Sequence, residues 1–303
     1  MSSKITKVAL AGATGNLGPA ILEQLLAAGF QVTALTRADG GGGTHRFPTA
    51  VTVAPVDYDS LDSLVTALRG QDAVVSTLAS TALAKQLLLV EAAAQVGVRR
   101  FIPSDFGSNT VHPRAAALPV YADKVAVQSA LRDKAAHPGG MTYTVVLNGP
   151  FLDWGIQVGF VLGVARRHAT LYDGGERVFS TTTLPTIGRA VVGVLRRPEE
   201  TRNRPVYVHD TATTLRALYE MGKKATPGEA WTEEVVRIDD ELAEGWAELK
   251  KEMADPGKFV MKFIHAAIWG EGYGAHFEKT DNELLGIKEL TEEEVRAIVS
   301  RYA

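Results

Sequence analysis

The sequence predicts an α/β fold: a doubly wound parallel sheet with a smaller, mostly helical lobe beside it. Short β-like runs alternate with helical runs over the first half of the chain. A glycine-rich turn follows the first of these runs, and the alternation breaks after Asn148-Gly149-Pro150. Alternation of this kind puts helices on both faces of a parallel sheet, and right-handed crossovers then fix the winding.

The first half supplies the elements of the parallel sheet. Apolar, β-branched runs predict strands at residues 7–11, 31–36, 51–56, 72–78, 100–103 and 142–147. Helical spacing of apolar residues between these runs predicts helices at residues 19–28, 60–69, 81–96 and 119–136. The glycine-rich run at residues 40–43 predicts a flexible loop.

The second half predicts a different arrangement. Asp173-Gly174-Gly175-Glu176 is typical of a hairpin turn between strands at residues 169–172 and 177–180. A helix is predicted at residues 184–195, followed by a strand at residues 205–209 that returns to the main sheet. From residue 211 onward the pattern is mostly helical, and Thr291 is the predicted N-cap of the last helix.

Composition excludes several classes of site. The chain has 303 residues and a net charge of -3, so no electrostatic drive toward nucleic acid or an anionic membrane is visible. It has no cysteine, which excludes disulfides and thiolate chemistry and fits a reducing compartment. We find no secretory signal, no apolar run long enough to span a membrane and no histidine spacing typical of a metal site. We therefore expect a cytoplasmic protein without a metal; the sequence leaves its oligomeric state open.

The glycine-rich turn is the first candidate site. Gly12-Ala13-Thr14-Gly15-Asn16-Leu17-Gly18 follows the first strand and opens the first helix. Glycines at this spacing let the backbone approach a pyrophosphate, and the helix N-terminus supplies N–H groups and a partial positive charge. Gly18 would also allow close packing of the helix on the sheet. We therefore predict dinucleotide contacts from Gly12, Thr14, Gly15, Asn16, Leu17 and Gly18.

The end of the second strand predicts which dinucleotide is bound. An acidic residue there would hold a ribose 2′-hydroxyl, but this chain has Leu35-Thr36-Arg37. Arg37 can form a charge-assisted fork with a 2′-phosphate, which favours NADPH, and His45 and Arg46 can assist. Asp57, which ends the third strand, either reaches the adenine edge or forms a turn into the next helix.

Two further motifs, taken with the glycine turn, resemble a known family. Arg99-Arg100-Phe101-Ile102-Pro103-Ser104-Asp105-Phe106-Gly107 and Lys124 resemble the isoflavone reductase-like enzymes. This group belongs to the NmrA-like, atypical short-chain dehydrogenases and includes phenylcoumaran benzylic ether and pinoresinol–lariciresinol reductases. The resemblance covers about residues 5–155 and extends more loosely to the C-terminus. It implies a Rossmann-type domain, NADPH and hydride transfer to a small, often aromatic substrate.

The resemblance also implies roles for individual residues. The family's catalytic lysine falls on Lys124, and its strand-end residues beside the nicotinamide fall on Ser76-Thr77-Leu78. Its helix glutamine falls on Gln86, and the segment that joins the cofactor and substrate pockets falls on Asn148-Gly149-Pro150-Phe151. We therefore expect cofactor contacts from Thr77, Leu78, Lys124, Asn148, Pro150 and Phe151.

Around the lysine this chain departs from the family. Its Pro-Ser-Asp-Phe-Gly stands where the family usually has Pro-Ser-Glu-Phe-Gly, and Gln128-Ser129 stands where the family has Arg-Arg. Tyr121 precedes the lysine in a Tyr-x-x-Lys spacing, which puts both side chains near one helix face. Lys124 and Tyr121 are therefore both candidate catalytic residues, and either can be the proton donor.

Aromatic residues supply the candidate substrate pocket. Phe106 lies in the Pro-Ser-Asp-Phe-Gly motif, and Phe151 ends the segment at residues 148–151. His265 and Trp269 belong to an aromatic cluster in the second half that has either a pocket role or a role in the core or at the surface. We take Phe106, Phe151, His265 and Trp269 as candidate substrate-binding residues.

Together these features predict an NADPH-dependent reductase of a small, aromatic or secondary-metabolite substrate, with Lys124 as general acid or base or as an electrostatic catalyst. Residues 1–150, with 184–209 returning to them, form the predicted NADPH-binding domain, and residues 151–183 and 210–303 form the predicted substrate lobe. Two alternatives stay open: an NADP(H)-sensing regulator without catalysis, and a redox-neutral enzyme on the same fold. A cation beside the nicotinamide argues against the sensor.

Overall fold

A large parallel sheet organises the chain in the computed structural model, which describes residues 4–38 and 47–303. The loop predicted at residues 40–43 lies outside this range. The strands are β1 (Lys7–Ala11), β2 (Gln31–Arg37), β3 (Val51–Val56), β4 (Ala73–Ser76), β5 (Arg100–Ile102), β6 (Thr142–Leu147), β7 (His168–Tyr172), β8 (Phe179–Thr181), β9 (Arg204–Tyr207), β10 (Thr211–Thr213) and β11 (Thr232–Val236). The sheet has seven strands in the order β3-β2-β1-β4-β5-β6-β9, and its neighbours run parallel. The predicted doubly wound α/β class is therefore confirmed.

Helices cover both faces of this sheet and build the second lobe. They are α1 (Gly18–Ala27), α2 (Leu61–Leu68), α3 (Gln86–Gln95), α4 (Pro113–Ala116), α5 (Ala122–Ala135), α6 (Leu152–Gln157), α7 (Leu184–Arg196), α8 (Leu215–Ala225), α9 (Ile238–Leu249), α10 (Pro256–Trp269), α11 (Asn282–Leu285) and α12 (Glu292–Ser300). Within the described ranges, none of these helices is long and apolar enough to cross a membrane.

Alternation along the central strand explains the layered packing. Val8 and Leu10 belong to the core shared with α1 and α7, whereas Ala9 and Ala11 belong to the core shared with α2, α3 and α5. All four side chains are buried. A strand that is covered on both faces needs apolar residues at every position, which is why β1 reads as a continuous apolar run.

The second lobe has its own core and two small sheets. β7 pairs in parallel with β11, and β8 pairs with β10 in antiparallel fashion. Apolar side chains of α8, α10 and α12 pack together with those of β7 in one cluster, which includes Leu171, Leu218, Phe263 and Val295. Both β10 and β11 lie where the sequence predicts mostly helix.

The hairpin predicted between residues 169 and 180 is wrong. The turn itself forms, with φ of 47° at Asp173, 87° at Gly174 and 78° at Gly175. The strands on either side nevertheless do not pair with each other, because β11 and β10 are their partners. The turn residues therefore determine the local backbone conformation, but pairing with strands more distant in the chain determines the sheet.

Two predicted helices begin with a 3-10 turn. Residues Ser80–Lys85 form the first turn, so α3 begins only at Gln86, and residues Pro119–Tyr121 form the second, so α5 begins at Ala122. The predicted N-cap of α12 is confirmed, since Thr291 and Glu294 form a reciprocal capping box.

Arg100, the first residue of β5, joins two strands and the segment before β9. This side chain is only 2% exposed. Its guanidinium donates to the hydroxyls of Thr142, Thr144 and Thr201 at 2.9, 2.6 and 3.0 Å, and to the carbonyl of Pro198. Burial lowers the pKa of Arg100 to about 10, so it stays charged at neutral pH. These bonds tie β5 to β6 and to the segment that leads into β9.

Asp72 fixes the start of β1. Its carboxylate accepts hydrogen bonds from the N–H groups of Thr6 and Lys7 at 2.7 and 2.8 Å and pairs with Arg99 at 2.9 Å. Burial by itself raises the pKa of Asp72, but the hydrogen bonds from Lys7, Arg99 and Thr6 outweigh it and lower that pKa to about 2. The ionised form of Asp72 therefore stabilises the fold.

We expect Asp72→Asn to lower the free energy of unfolding at neutral pH by about 2 kcal/mol. The pKa of Asp72 is lower in the folded state than in the unfolded state, so its contribution is present above about pH 4 and is lost as the pH falls toward about 2. Urea unfolding of both proteins at neutral pH and at about pH 3 measures the difference, which should shrink in acid. The exposed Asp62→Asn is the control. A deficit of equal size at both pH values would contradict this role.

Candidate functional site

A cleft of about 850 Å³ lies at the carboxyl ends of β1, β2 and β4. The strand order reverses here, because β2 and β4 flank β1 on opposite sides. Ligands of open α/β sheets bind at this switch point, and the volume of the cleft falls in the range of cofactor sites.

The glycine turn forms one wall of the cleft through two close approaches. Gly12 has a φ of +81°, and a Cβ there would lie 2.5 Å from the carbonyl oxygen of Thr77. A Cβ at Gly18 would lie 2.2 Å from the carbonyl oxygen of Gly12. The close approach that the sequence predicts at Gly18 is therefore made with the turn itself. Gly15 closes the turn by donating its N–H to Gly12 at 3.0 Å.

The N-terminus of α1 opens onto this cleft. Thr14, Asn16 and Leu17 line it together with Gly12 and Gly15, and Leu17 is the N-cap of the helix. The first N–H groups of a helix carry a partial positive charge. This end of the cleft therefore suits an anionic diphosphate.

Thr77 holds the turn against the end of β4. Its hydroxyl donates to the carbonyls of Ala11 and Gly12, both at 2.9 Å, and its N–H donates to Ala11 at 2.8 Å. Thr77 and Leu78 both line the cleft. The two strand-end residues that the sequence suggested as cofactor contacts therefore lie on the cleft wall, and Thr77 also has a structural role.

Arg37 lines the cleft at the end of β2, where it is exposed. Tyr58 lines the cleft as well, and its buried hydroxyl donates to the carbonyl of Leu35 at 3.3 Å. His45 and Arg46 lie outside the described residues. A cation at the end of the second strand is where a ribose 2′-phosphate would be held.

An ion pair stands at the rim near α2. Lys85, which lines the cleft, lies 2.6 Å from the carboxylate of Asp59. Asp57 accepts a hydrogen bond from the N–H of Asp59 at 2.9 Å. Asp57 therefore takes part in the turn into the next helix.

Lys124 brings an ammonium group to the cleft from the first turn of α5. The ammonium donates to the main-chain carbonyl of Asp105, and its Nζ lies 5.7 Å from the centre of the Tyr121 ring. Burial lowers the pKa of Lys124, and the charge of Asp105 opposes this effect. A lysine whose pKa is lowered from its usual high value is better suited to proton transfer near neutral pH.

Tyr121 lies beside Lys124, but its hydroxyl points elsewhere. The side chain is buried, and its hydroxyl donates to Oγ of Ser108 at 2.8 Å. Burial raises the pKa of Tyr121 to about 12, although the hydrogen bond with Ser108 acts in the opposite direction. Tyr121 therefore packs beside Lys124 but is not among the residues that line the cleft.

Within the segment at residues 148–151, Phe151 is the residue that lines the cleft. Asn148 and Pro150 are buried behind it and hold the chain in place. The N–H of Asn148 donates to Gly107 at 3.3 Å, and the carbonyl of Pro150 accepts from the hydroxyl of Thr181 at 2.8 Å. Asn148 and Pro150, which the sequence predicts as cofactor contacts, therefore position Phe151, which is also a predicted contact.

Two of the four predicted substrate residues lie in the cleft. Phe106 and Phe151 line it, and Trp154 packs edge-on against Phe151 with ring centres 6.1 Å apart. Phe106 follows Asp105, the residue to which the ammonium of Lys124 is bonded. The cleft therefore presents aromatic surface close to its titratable cation.

Trp269 lies instead in the core of the second lobe, and His265 lies half-buried beside it. Trp269 is 1% exposed and stacks on Tyr172 with ring centres 4.7 Å apart. His265 lies 2.9 Å from the carboxylate of Glu241 and lines a separate groove between α9 and α10. The structure does not bring these two side chains to the cleft: Trp269 packs on Tyr172, and His265 contacts Glu241.

The carboxylate of Asp105 is the part of the site that sequence reasoning missed. Asp105 is the acidic residue of the Pro-Ser-Asp-Phe-Gly motif, and this acidic residue could have indicated a charged group in the site. Gln86 supports the same motif, since its Oε1 accepts from the N–H of Ser104 at 2.8 Å. Across residues 4–38 and 47–303, no group of three or more histidine or acidic side chains is arranged to hold a metal.

Known proteins are similar to this chain in sequence and in fold. The sequence profile of the NmrA-like family matches residues 4–164. The oxidoreductase poxI of Penicillium oxalicum is 33% identical over 97% of this chain and 93% of its own length. The oxidoreductase aprR of Aspergillus flavus is also 33% identical, over 97% of this chain and 98% of its own. A solved structure of AtPrR2 with NADP+ and (+)pinoresinol has the same fold, with a TM-score of 0.78, 20% identity and 99% of each chain covered.

We expect Gly18→Ala to lower the free energy of unfolding by about 1–3 kcal/mol, because the added methyl group overlaps the carbonyl of Gly12. Gly15→Ala is the matched control: its Cβ would lie 3.4 Å from the same oxygen, and we expect a change within about 0.5 kcal/mol. Urea unfolding of the three proteins compares them. Equal stability of the two variants would show that the turn can open at Gly18.

Proposed function

The chain is an oxidoreductase of the NmrA-like family, as the sequence resemblance implies, and from that premise we propose that it reduces a small aromatic substrate with NADPH. One observation carries the proposal: Lys124 lines the same cleft as the glycine turn and Arg37. A single cavity thereby combines an anion-binding turn, a cation for a 2′-phosphate and a titratable ammonium group.

The choice of NADPH rests on the two ends of the nucleotide cleft. The N-terminus of α1 suits the diphosphate, and Arg37 stands where an acidic residue would select a free 2′-hydroxyl. The structurally similar AtPrR2 binds NADP+. A cleft with this charge pattern repels neither the diphosphate nor the extra phosphate of NADPH.

The proposed chemistry needs one proton donor from the chain. When bound, NADPH supplies a hydride to an electrophilic carbon. The ammonium of Lys124 donates a proton to the oxygen that gains the electron pair, and the resulting neutral amine recovers a proton from solvent. The carbonyl of Asp105 orients the ammonium during this transfer.

Aromatic side chains define the proposed substrate class. Phe106 and Phe151 supply flat apolar surface on the cleft wall, and Trp154 supports Phe151 from the side. Aromatic rings stack favourably on such surfaces. A small aromatic compound with an oxygen function would place its ring on Phe106 or Phe151 and its oxygen toward Lys124.

We expect Arg37→Ala to weaken binding of NADP(H) by roughly 10- to 150-fold while leaving NAD(H) nearly unchanged. The loss corresponds to one charge-assisted contact, about 1.5–3 kcal/mol. Calorimetric titration of each cofactor into the wild type and the variant measures this, with the exposed Arg69→Ala as control. An equal loss for both cofactors, or a wild type without preference for NADP(H), would remove this assignment.

We expect Lys124→Ala to lower kcat by about 10²–10⁴ if the lysine is the general acid, with the affinity for NADPH nearly unchanged. The assay follows NADPH oxidation with a panel of aromatic aldehydes, ketones and quinones and with (+)-pinoresinol. Tyr121→Phe should keep most of the turnover, because the hydroxyl it removes is bonded to Ser108.

Other outcomes of these measurements would support a different proton donor or a different function. A loss in Tyr121→Phe as large as that in Lys124→Ala would move the acid role to the tyrosine. Full turnover in Lys124→Ala would exclude the lysine as the general acid. Conversion of a compound without net oxidation of NADPH would favour a redox-neutral enzyme. Tight binding of NADPH, without its oxidation by any compound in the panel, would favour the sensor.

A further inference from the structure

A buried carboxylate lies at the wall of the cleft without a full set of partners. Asp105 lines the cleft and is 1% exposed. Its Oδ1 accepts hydrogen bonds from the hydroxyl of Thr110 at 2.6 Å and from the amide of Gln128 at 2.9 Å. Its Oδ2 is buried without a hydrogen-bond partner. A buried polar atom left in this state needs an explanation, because its desolvation is not compensated.

The same residue also holds Lys124. The ammonium of Lys124 donates to the main-chain carbonyl of Asp105. Gln128 follows Lys124 by one helical turn on α5, so one face of this helix contacts both the carbonyl and the carboxylate of Asp105. The two contacts therefore bring the ammonium of Lys124 and the carboxylate of Asp105 to the same face of α5.

We propose that Asp105 is a positioning residue: its main-chain carbonyl keeps Lys124 in place, and its carboxylate, held by Thr110 and Gln128, keeps Lys124 in its ammonium form. Since the use made of that ammonium is proton donation, the inference rests on the proposed reductase function. It adds a residue whose role is exerted through Lys124 rather than by contact with the reacting atoms.

Burial and charge act in opposite directions on the pKa values of Lys124 and Asp105. Burial disfavours the charged form of each group: it lowers the pKa of Lys124 and raises the pKa of Asp105, and each charge opposes the shift of the other. Removing the charge of Asp105 therefore leaves burial unopposed at Lys124, whose pKa should fall further.

Other titratable groups on the elements packed against α5 are less well placed to act on Lys124. The 3-10 turn before α5 supplies Tyr121, and β6 supplies Tyr143. Lys85 is paired with Asp59. On α3, Glu91 is paired with Lys134 near the far end of α5. Within α5 the nearest acid is the exposed Asp123, which points about 100° away from Lys124.

The test measures the protonation of Lys124 without cofactor or substrate. Trace acetylation by acetic anhydride, read by mass spectrometry of the Lys124 peptide over a range of pH, reports the fraction of neutral amine. We expect Asp105→Asn to lower the midpoint of this profile, so that labelling at a fixed pH below the midpoint rises about tenfold or more. A change that is only structural would alter the plateau rate and leave the midpoint in place.

Matched variants complete the test. Asp123→Asn makes the same change one residue before Lys124 and should leave the midpoint unaltered, whereas Asp105→Glu should retain the wild-type midpoint because it retains the charge. If Asp105→Asn does not fold, Thr110→Val replaces it: loss of the hydroxyl donor favours the neutral carboxyl and should move the midpoint in the same direction by less. An unchanged midpoint in the folded variant overturns the proposal.

The inference and the proposed function can fail separately. A shifted midpoint in a protein that oxidises no NADPH would leave the Asp105–Lys124 coupling intact and remove the reductase. In an active enzyme, Asp105→Asn should also move the alkaline limb of kcat to lower pH, because a general acid is lost when its pKa is passed. An active enzyme in which neither the labelling midpoint nor this limb moves would refute the inference alone.

Discussion

The packing of the β1–α1 turn on the end of β4 is the constraint on which the candidate site depends. There is no room for a Cβ at Gly12 against Thr77, or at Gly18 against Gly12. The hydroxyl of Thr77 then ties the turn to the sheet. Because of this packing, the N-terminus of α1, Arg37 and the end of β4 open onto one cavity rather than onto separate surfaces.

The other end of the cavity is set by contacts between the two halves of the chain. Phe151 forms a β-bridge with Thr182, so the residue that lines the cleft is positioned by the segment between β8 and α7. Gly149 fits closely beneath this junction, since a Cβ there would lie 1.9 Å from the carbonyl of Ser180. Phe151 is thus placed by the second lobe, and the ammonium of Lys124 by the first.

Sequence reasoning succeeded where the signal was local. The spacing of Gly12, Gly15 and Gly18 after an apolar strand predicts the tight turn. The alternation of strands and helices predicts the parallel sheet. Sequence reasoning failed where a distant segment decides the outcome. The turn at Asp173 forms, but its flanking strands pair with segments that lie tens of residues away. The spacing of Tyr121 puts it beside Lys124, but nothing in the sequence predicts the bond from its hydroxyl to Ser108.

The contacts of Arg100 and those of Asp72 respond differently to acid. The guanidinium of Arg100 is held by threonine hydroxyls and a carbonyl, which do not change their charge as the pH falls. Asp72 holds β1 through a carboxylate that acid neutralises. Acid therefore weakens the contacts that hold the start of β1, while the contacts of Arg100 keep their charge. The glycine turn itself has no titratable side chain, so its sensitivity to acid would come through Asp72 at the opposite end of β1.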